Sequence, residues 1–339
     1  MAPPANRWDG AAVASTAPLD ELVYRSNLLG ADRALANQGG GNTSAKGTLV
    51  DHTGRETRVL WVKGSGTDLA TITRAGFAVL RLEEVLPLRA RDELDDAAMV
   101  DFLRRCALEP DGPRASIETL LHAFIGATHV DHTHPDAVIA LTSSPRGREL
   151  AEEVFGEEVV WLDYQRPGFD MSRRIADLLD DGPRARAVLL EKHGLVTWGE
   201  TSEECYLSTL EFVSRAADLI AKDGSARFGL GGPRVAECGE GGARPLLETS
   251  LPALRGALLA DADGLVLEVD RSPEAVAFAS SVQAPRVSQV GAPCPDHLIN
   301  TKHKPLVVDF DPTADDAAGL AAVSRRLPAS PPCRPLAGC

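Results

Sequence analysis

The sequence predicts an α/β fold, a mixed sheet flanked by helices with a small C-terminal α/β module. Three observations predict it: apolar positions at helical spacing alternate with short β-branched runs, turn residues close most of those runs, and Gly and Pro gather between residues 224 and 245. With 339 residues, 44% of them hydrophobic, the chain is long enough to bury a core.

The elements follow in order. Residues 1–17, MAPPANRWDGAAVAST and the next Ala, lack an adequate apolar h-region and carry too few Arg for a mitochondrial presequence, so they read as a disordered leader. From Pro18 to Ala36 the apolar spacing is helical and runs into the break GGGNTS. TLVDH, TRVLWVKG and FAVLRL read as a small antiparallel sheet, and helices are expected at Asp92–Ala107 and Ser116–Ile125. HVDHTH reads as a strand, SPRGRELAEEVFG as a helix, VVWLDY as a strand and GFDMSRRIADLLDDG as a helix. AVLLEKHGLVTWG reads as a pair of strands, and SEECYLSTLEFVSRAADLIAKDG as a long helix opened by Ser and acids. This gives a domain over 18–223, a linker over 224–245 and a small α/β module over 246–312 built from LPALRGALLA, DGLVLEVD, SPEAVAFASS and PLVVDFD. A disordered tail over 313–339 follows.

Charge excludes some partners. The chain has 35 basic and 49 acidic residues, a net of −14, and no Lys/Arg run that would track a phosphate backbone, so neither nucleic acid nor an anionic membrane surface is expected as a partner. No stretch reaches the roughly 20 apolar residues of a membrane span. Six scattered cysteines without a Cys-x-x-Cys pair point to a reducing, cytoplasmic setting.

The chemistry gathers in five short stretches. In HVDHTH, His132 and His134 are two apart and face the same side of a strand. Such a pair is as readily two hydrogen-bonded histidines as a metal site, but LLEKHGLV adds His193 before a Gly turn. Three neutral imidazoles leave an open coordination position, the pattern of catalytic rather than structural zinc. Glu118 sits in the first turn of its expected helix, where a Glu ordinarily complements the dipole. In GGGNTS and VKGSG, glycines permit turns whose N–H groups can converge on an anion, with Asn42, Thr43 and Ser65 adding side-chain donors; Lys63 reads as a solvated charge. His122 and His129 read as structural neighbours, while His52, His297 and His303 are left without a role.

Taken together and in order, GGGNTS, VKGSG, SIE, HTH and KHGL resemble the class II aldolase/adducin family over residues 20 to 222. LLGADRALANQGGGNTS, IETLLHAFIGATHVDHTHPDAV and ASSVQAPRVSQVGAPCPDHLI are similar to the aldolase half of bifunctional rhamnulose-1-phosphate aldolase/alcohol dehydrogenases, to about residue 312. The resemblance implies zinc or another divalent metal on His132, His134 and His193, and Glu118 as the general acid/base, a role that asks for a raised pKa. It also implies a phosphate site of Gly41, Asn42, Thr43, Ser65, Gly66 and Ser116.

The implied reaction is cleavage of a ketose 1-phosphate, L-rhamnulose 1-phosphate, to dihydroxyacetone phosphate and L-lactaldehyde. The implied assembly is a homo-oligomer in which a neighbour's tyrosine completes the site. Tyr24 and Tyr206 fall on expected helices and should pack, which leaves Tyr164. Two departures stand out: Ile117 precedes Glu118 where family members often carry a second Ser, and no G-x-G-x-x-G follows an expected strand, so the chain is expected to lack the dehydrogenase half. The alternatives are a sugar-phosphate dehydratase or epimerase of the same fold, the related epimerases carrying Asp at the Glu118 position, and an adducin-like binding module, which would lack the metal histidines.

Overall fold

A computed structural model describes residues 3–311 and 320, except 14, 16, 183, 228, 229, 237, 259–263 and 302. The chain divides into two units, Met1–Asp223 with Pro293–Asn300, and Gly224–Ala292 with Thr301–Cys339.

The first unit is built on one seven-stranded sheet, β1 (Asn42–Val50), β2 (Glu56–Lys63), β3 (Phe77–Arg81), β4 (His129–Thr133), β5 (Val159–Leu162), β6 (Ala187–Leu190) and β7 (Gly194–Gly199). Their spatial order is β3-β2-β1-β4-β7-β6-β5. Every pair is antiparallel except β5 with β6. The three strands expected as a small antiparallel sheet are antiparallel to one another and form one end of this larger one, because β1 pairs with β2 along one edge and with β4 along the other.

Helices cover both faces, and the strand period of two decides what meets them. Ala187, Leu189 and Leu195 pack with α1 (Pro18–Ala31), α5 (Asp136–Thr142), α6 (Gly147–Phe155) and α8 (Ser202–Arg227). Their alternates Val188, Leu190 and Val196 face α4 (Thr119–Phe124) and α7 (Phe169–Asp181). Further along, Leu60, Val62, Ala78 and Leu80 pack against α2 (Leu82–Val85) and α3 (Asp96–Cys106). Side chains on the two faces of one strand therefore have separate fates, which matters below for β1 and β4.

Helix α1 opens on Pro18 with Asp20 and Glu21 in its first turn, and stops at Ala31, short of the expected Ala36. Asp32 turns extended and its carboxylate accepts from the Ala34 N–H at 3.0 Å, a local bond that competes with continuing the helix. Leu35 and Ala36 are nonetheless fully buried, so their apolar spacing marked a buried turn.

The leader is ordered against this unit where it is described. Trp8 packs its ring on Tyr24 and Tyr206 at centroid distances of 5.2 and 5.7 Å. The N–H groups of Asp9 and Arg7 donate to the hydroxyls of those two tyrosines at 3.0 and 3.3 Å. An indole with a place to bury is enough to hold a short segment, and composition alone does not show that place.

In the second unit, α9 (Glu240–Leu258) begins inside the expected linker, followed by α10 (Pro273–Ala279) and α11 (Ala284–Val287). The strands expected in DGLVLEVD and PLVVDFD do not form among the described residues, so the expected α/β module is helical there. Alternating apolar residues make a strand only when a neighbouring ladder takes up the backbone and a layer covers the face. Val266, 93% exposed, has no such layer. The tail over 313–339 lies outside the described residues except for residue 320. No helix among the described residues is long and apolar enough to cross a membrane.

Candidate metal centre

The centre forms where β4 leaves the sheet. Register sets Asn42 of β1 opposite His132, and Val196 of β7 on its other side. His132 thus faces α4, and His134, two residues on, follows it just past the strand end. Gly41, at φ 69°, lets β1 enter that close to β4, since a Cβ there would lie 2.7 Å from the His132 carbonyl oxygen. His193 ends the tight turn between β6 and β7, its N–H donating to Leu190 O at 3.1 Å. Lys192 holds that turn in the left-handed region at φ 53°, a conformation that costs an L residue about 1 kcal/mol or more.

Their imidazole Nε2 atoms converge. His132 Nε2 lies 2.9 Å from His134 Nε2 and 3.2 Å from His193 Nε2, and all three side chains are buried. His132 Nδ1 donates to Leu195 O at 3.0 Å and His134 Nδ1 donates to Asp296 Oδ2 at 2.6 Å, which leaves both Nε2 lone pairs pointing inward. Tetrahedral zinc with bonds of about 2.0–2.1 Å sets its nitrogens roughly 3.3–3.4 Å apart, close to what is found. Lone pairs gathered this closely repel unless a cation or proton lies among them, so the donor set fits a divalent metal.

Glu118 faces the same point. It stands at the N-cap of α4, one residue before the helix, so it is not the first-turn residue the sequence suggested. Its Oε1 lies 3.3 Å from His132 Nε2 and 3.2 Å from His193 Nε2, and this buried oxygen has no conventional hydrogen-bond partner among the described residues. Asn42 Nδ2 donates to Oε2 at 2.7 Å. His122 in turn fixes Asn42: its Nδ1 accepts from the Ser44 hydroxyl at 2.8 Å and its Nε2 donates to Asn42 Oδ1. The chain His122, Asn42, Glu118 therefore pins one carboxylate oxygen and leaves the other free toward the imidazoles.

Electrostatics differ from the sequence expectation. Burial pushes the Glu118 carboxyl up, but the neighbouring imidazoles of His132 and His193 outweigh it and hold the group well below the carboxylate range. His132 is correspondingly raised: burial lowers it, and Glu118 with the Leu195 carbonyl more than offsets that. Burial carries His193 down to about 4. The raised carboxylate expected for an acid/base in a dry pocket is absent because imidazoles, not an apolar wall, surround Oε1.

Residues 20–220 match the class II aldolase and adducin N-terminal domain, and residues 246–329 match the second domain of class II aldolases. The chain belongs to the class II aldolase and adducin family. A Bacillus subtilis protein described as "Uncharacterized oxidoreductase YuxG" is 45% identical over 315 residues, 93% of this chain and 46% of that protein. The chain thus spans about half the length of that relative. The N-terminal class II aldolase domain of a conserved protein from Thermoplasma acidophilum superposes with a TM-score of 0.60 at 38% identity, over 64% of this chain and 99% of its own.

Of the six residues expected to hold phosphate, Thr43 points away from the others. Asn42 and Ser116 lie beside Glu118, with Asn42 Nδ2 3.4 Å from Ser116 Oγ. Ser65 is exposed nearby: its N–H donates to Arg114 O at 2.8 Å, its hydroxyl takes the Arg114 guanidinium at 3.4 Å, and Gly66 follows at φ 84°. Thr43 is a correction. Opposite Asp131 in register, it points to the other face of the sheet, is fully buried, and shares a 2.7 Å hydrogen bond with Ser26 under α1. One step along a strand moves a side chain to the opposite face.

Lys63 is a second correction. Only 5% exposed, it is a buried cation and not a solvated one, its Nζ 3.5 Å from Gly39 O; burial lowers its pKa, and the charges of Glu118, Asp68 and Asp296 act against that. His129 accepts from Arg25 Nη1 at 2.8 Å, in a buried cluster with Asp131 and Ser202. Tyr164 is 58% exposed, and His297 Nδ1 lies 3.0 Å from Cys294 Sγ. Asp296, the carboxylate on His134, was missed; no local pattern marks it.

Proposed function

We propose that this chain is a zinc-dependent lyase that cleaves a ketose 1-phosphate, namely L-rhamnulose 1-phosphate, to dihydroxyacetone phosphate and L-lactaldehyde, acting as a homo-oligomer on small-molecule sugar phosphates. The observation that carries the reading is the free, buried Oε1 of Glu118, 3.2 and 3.3 Å from two imidazole nitrogens of a three-histidine set. A binding module has no use for a buried carboxylate oxygen held without a donor beside three inward lone pairs.

A divalent metal on His132, His134 and His193 supplies Lewis acidity toward the carbonyl and hydroxyl oxygens of a ketose, which stabilises negative charge on the released ketone fragment. Glu118, ionised at the start, takes the C4 hydroxyl proton as that oxygen becomes the aldehyde carbonyl; the C3–C4 bond breaks with its electron pair left at C3, and Glu118 then returns the proton to C3. In the condensation direction it removes that proton. Asn42, held by His122, keeps Oε2 fixed so that Oε1 is the oxygen that exchanges. Ser65, Gly66, Ser116 and the N–H groups of the turn at Gly41 face the phosphate. The buried ammonium of Lys63 and the guanidinium of Arg114 favour an anion there.

The test compares L-rhamnulose 1-phosphate with the unphosphorylated sugar. The reading expects a much higher kcat/KM for the phosphate ester, a raised KM in Ser116→Ala and a lowered kcat in Asn42→Ala, which frees Oε2 of Glu118. Equal kcat/KM for the two sugars rejects the phosphate site. Preferred cleavage of fuculose or ribulose phosphates keeps the reaction and replaces the substrate, whereas loss of water without carbon–carbon cleavage makes the chain a dehydratase.

A further inference from the structure

We infer that Asp296 is a positioning residue of the metal centre, brought to it from the sequence of the second family domain. The inference rests on the metal reading of the three imidazoles. Pro293–Asn300 lies inside the 246–329 match to the second domain, yet its contacts place it in the first unit. Asp296 stands in the first turn of α12 (Pro295–Thr301).

The contact with His134 is short and buried: Oδ2 to Nδ1 is 2.6 Å, with side chains 4% and 9% exposed. A carboxylate on Nδ1 keeps the proton on that nitrogen, turns the Nε2 lone pair toward the metal position and makes it a stronger donor. His132 obtains the same orientation from a backbone carbonyl, Leu195 O, that the sheet itself provides. His134 sits past the end of β4, where no ladder carbonyl reaches it, and its partner comes from 162 residues away.

The opposite wall is cut to admit this carboxylate. A Cβ on Gly40 would fall 1.9 Å from Asp296 Oδ2 and 2.4 Å from its Cγ. Gly40 is not among the residues with positive φ, so close approach and not backbone conformation accounts for the glycine there. The GGG run therefore has two separate uses: Gly41 admits the His132 carbonyl and Gly40 admits Asp296.

Zinc affinity, measured by chelator competition on the full chain, tests this without any assay of turnover. Asp296→Ala should bind zinc about 10- to 100-fold more weakly than wild type. Asp296→Asn, whose carbonyl still accepts from Nδ1, should lose less. Gly40→Ala should weaken zinc in the same direction, and Gly40→Ala added to Asp296→Ala should have little further effect, because both act through one carboxylate. Cobalt(II) bound to Asp296→Ala should show a shifted visible spectrum, which a purely structural role would not move. Affinity within twofold of wild type in Asp296→Ala overturns the assignment, as does strict additivity of the two changes. If the alanine variant fails to fold, wild-type affinity in both Asp296→Asn and Gly40→Ala overturns it equally. A wild type that binds no zinc defeats the metal reading itself, a different outcome from a zinc-binding wild type indifferent to Asp296.

Discussion

At the residue scale, the roles proposed for the three imidazoles and for Glu118 are separable, and substitution should separate them. Removing one of three nitrogens leaves two, so His193→Ala should lose stoichiometric zinc by elemental analysis. His129→Ala should keep it, because His129 faces Arg25 on the other side of the sheet. His129→Ala should instead destabilise the fold by about 1–3 kcal/mol, since it leaves a buried guanidinium short of one acceptor. Full zinc in His193→Ala would overturn the ligand set. Glu118→Gln keeps the bond to Asn42 but cannot carry a proton, so turnover should fall roughly 10²- to 10⁴-fold while zinc is retained. Turnover close to wild type would move the proton to another group.

At the element scale, the site depends on how closely three strands meet. A Cβ on Gly194, the first residue of β7, would lie 2.4 Å from Thr133 O and 2.7 Å from His134 Cδ2. Gly194→Ala must push β7 from β4 or swing the His134 ring, so it should lower thermal stability and weaken zinc binding together. Unchanged zinc affinity and Tm would show that the strands have slack there. This is also where legibility divides. His132 and His134 could be read from sequence because strand period alone puts them on one face, and the same rule, applied with the register, would have removed Thr43. His193, a lone histidine before a Gly turn, gained its place from the resemblance of KHGL to the family and not from local spacing. Asp296 was not, because its pairing with His134 depends on how α12 packs and no local spacing encodes that. The strands expected in the second unit failed for the same reason: DGLVLEVD has the alternation, and the ladder partner it needs is not a property of the segment.

At the scale of the whole molecule, buried neutral histidines tie stability to pH. His129 is carried down to about 3, first by burial and then by the charges of Arg25 and Lys46, and His122 is lowered well below its usual range by burial and the charge of His132. An unfolded histidine titrates near 6.5, so below that pH the unfolded chain binds protons that folded His129 refuses. Its contribution is complete above about pH 6.5 and is lost as pH falls from there toward 3, about 2 kcal/mol between pH 7 and pH 5. Urea unfolding at pH 7 and pH 5 should therefore show a smaller drop in His129→Gln than in wild type; equal drops would mean that His129 titrates normally in the fold. The account as a whole stands on metal-dependent carbon–carbon cleavage. The most direct measurement is release of dihydroxyacetone phosphate from L-rhamnulose 1-phosphate by the zinc-loaded chain, before and after chelation and after zinc is restored. Release should be lost on chelation, regained with zinc and absent in His193→Ala; release that persists through chelation, or no cleavage of any ketose 1-phosphate, would contradict metal-dependent cleavage.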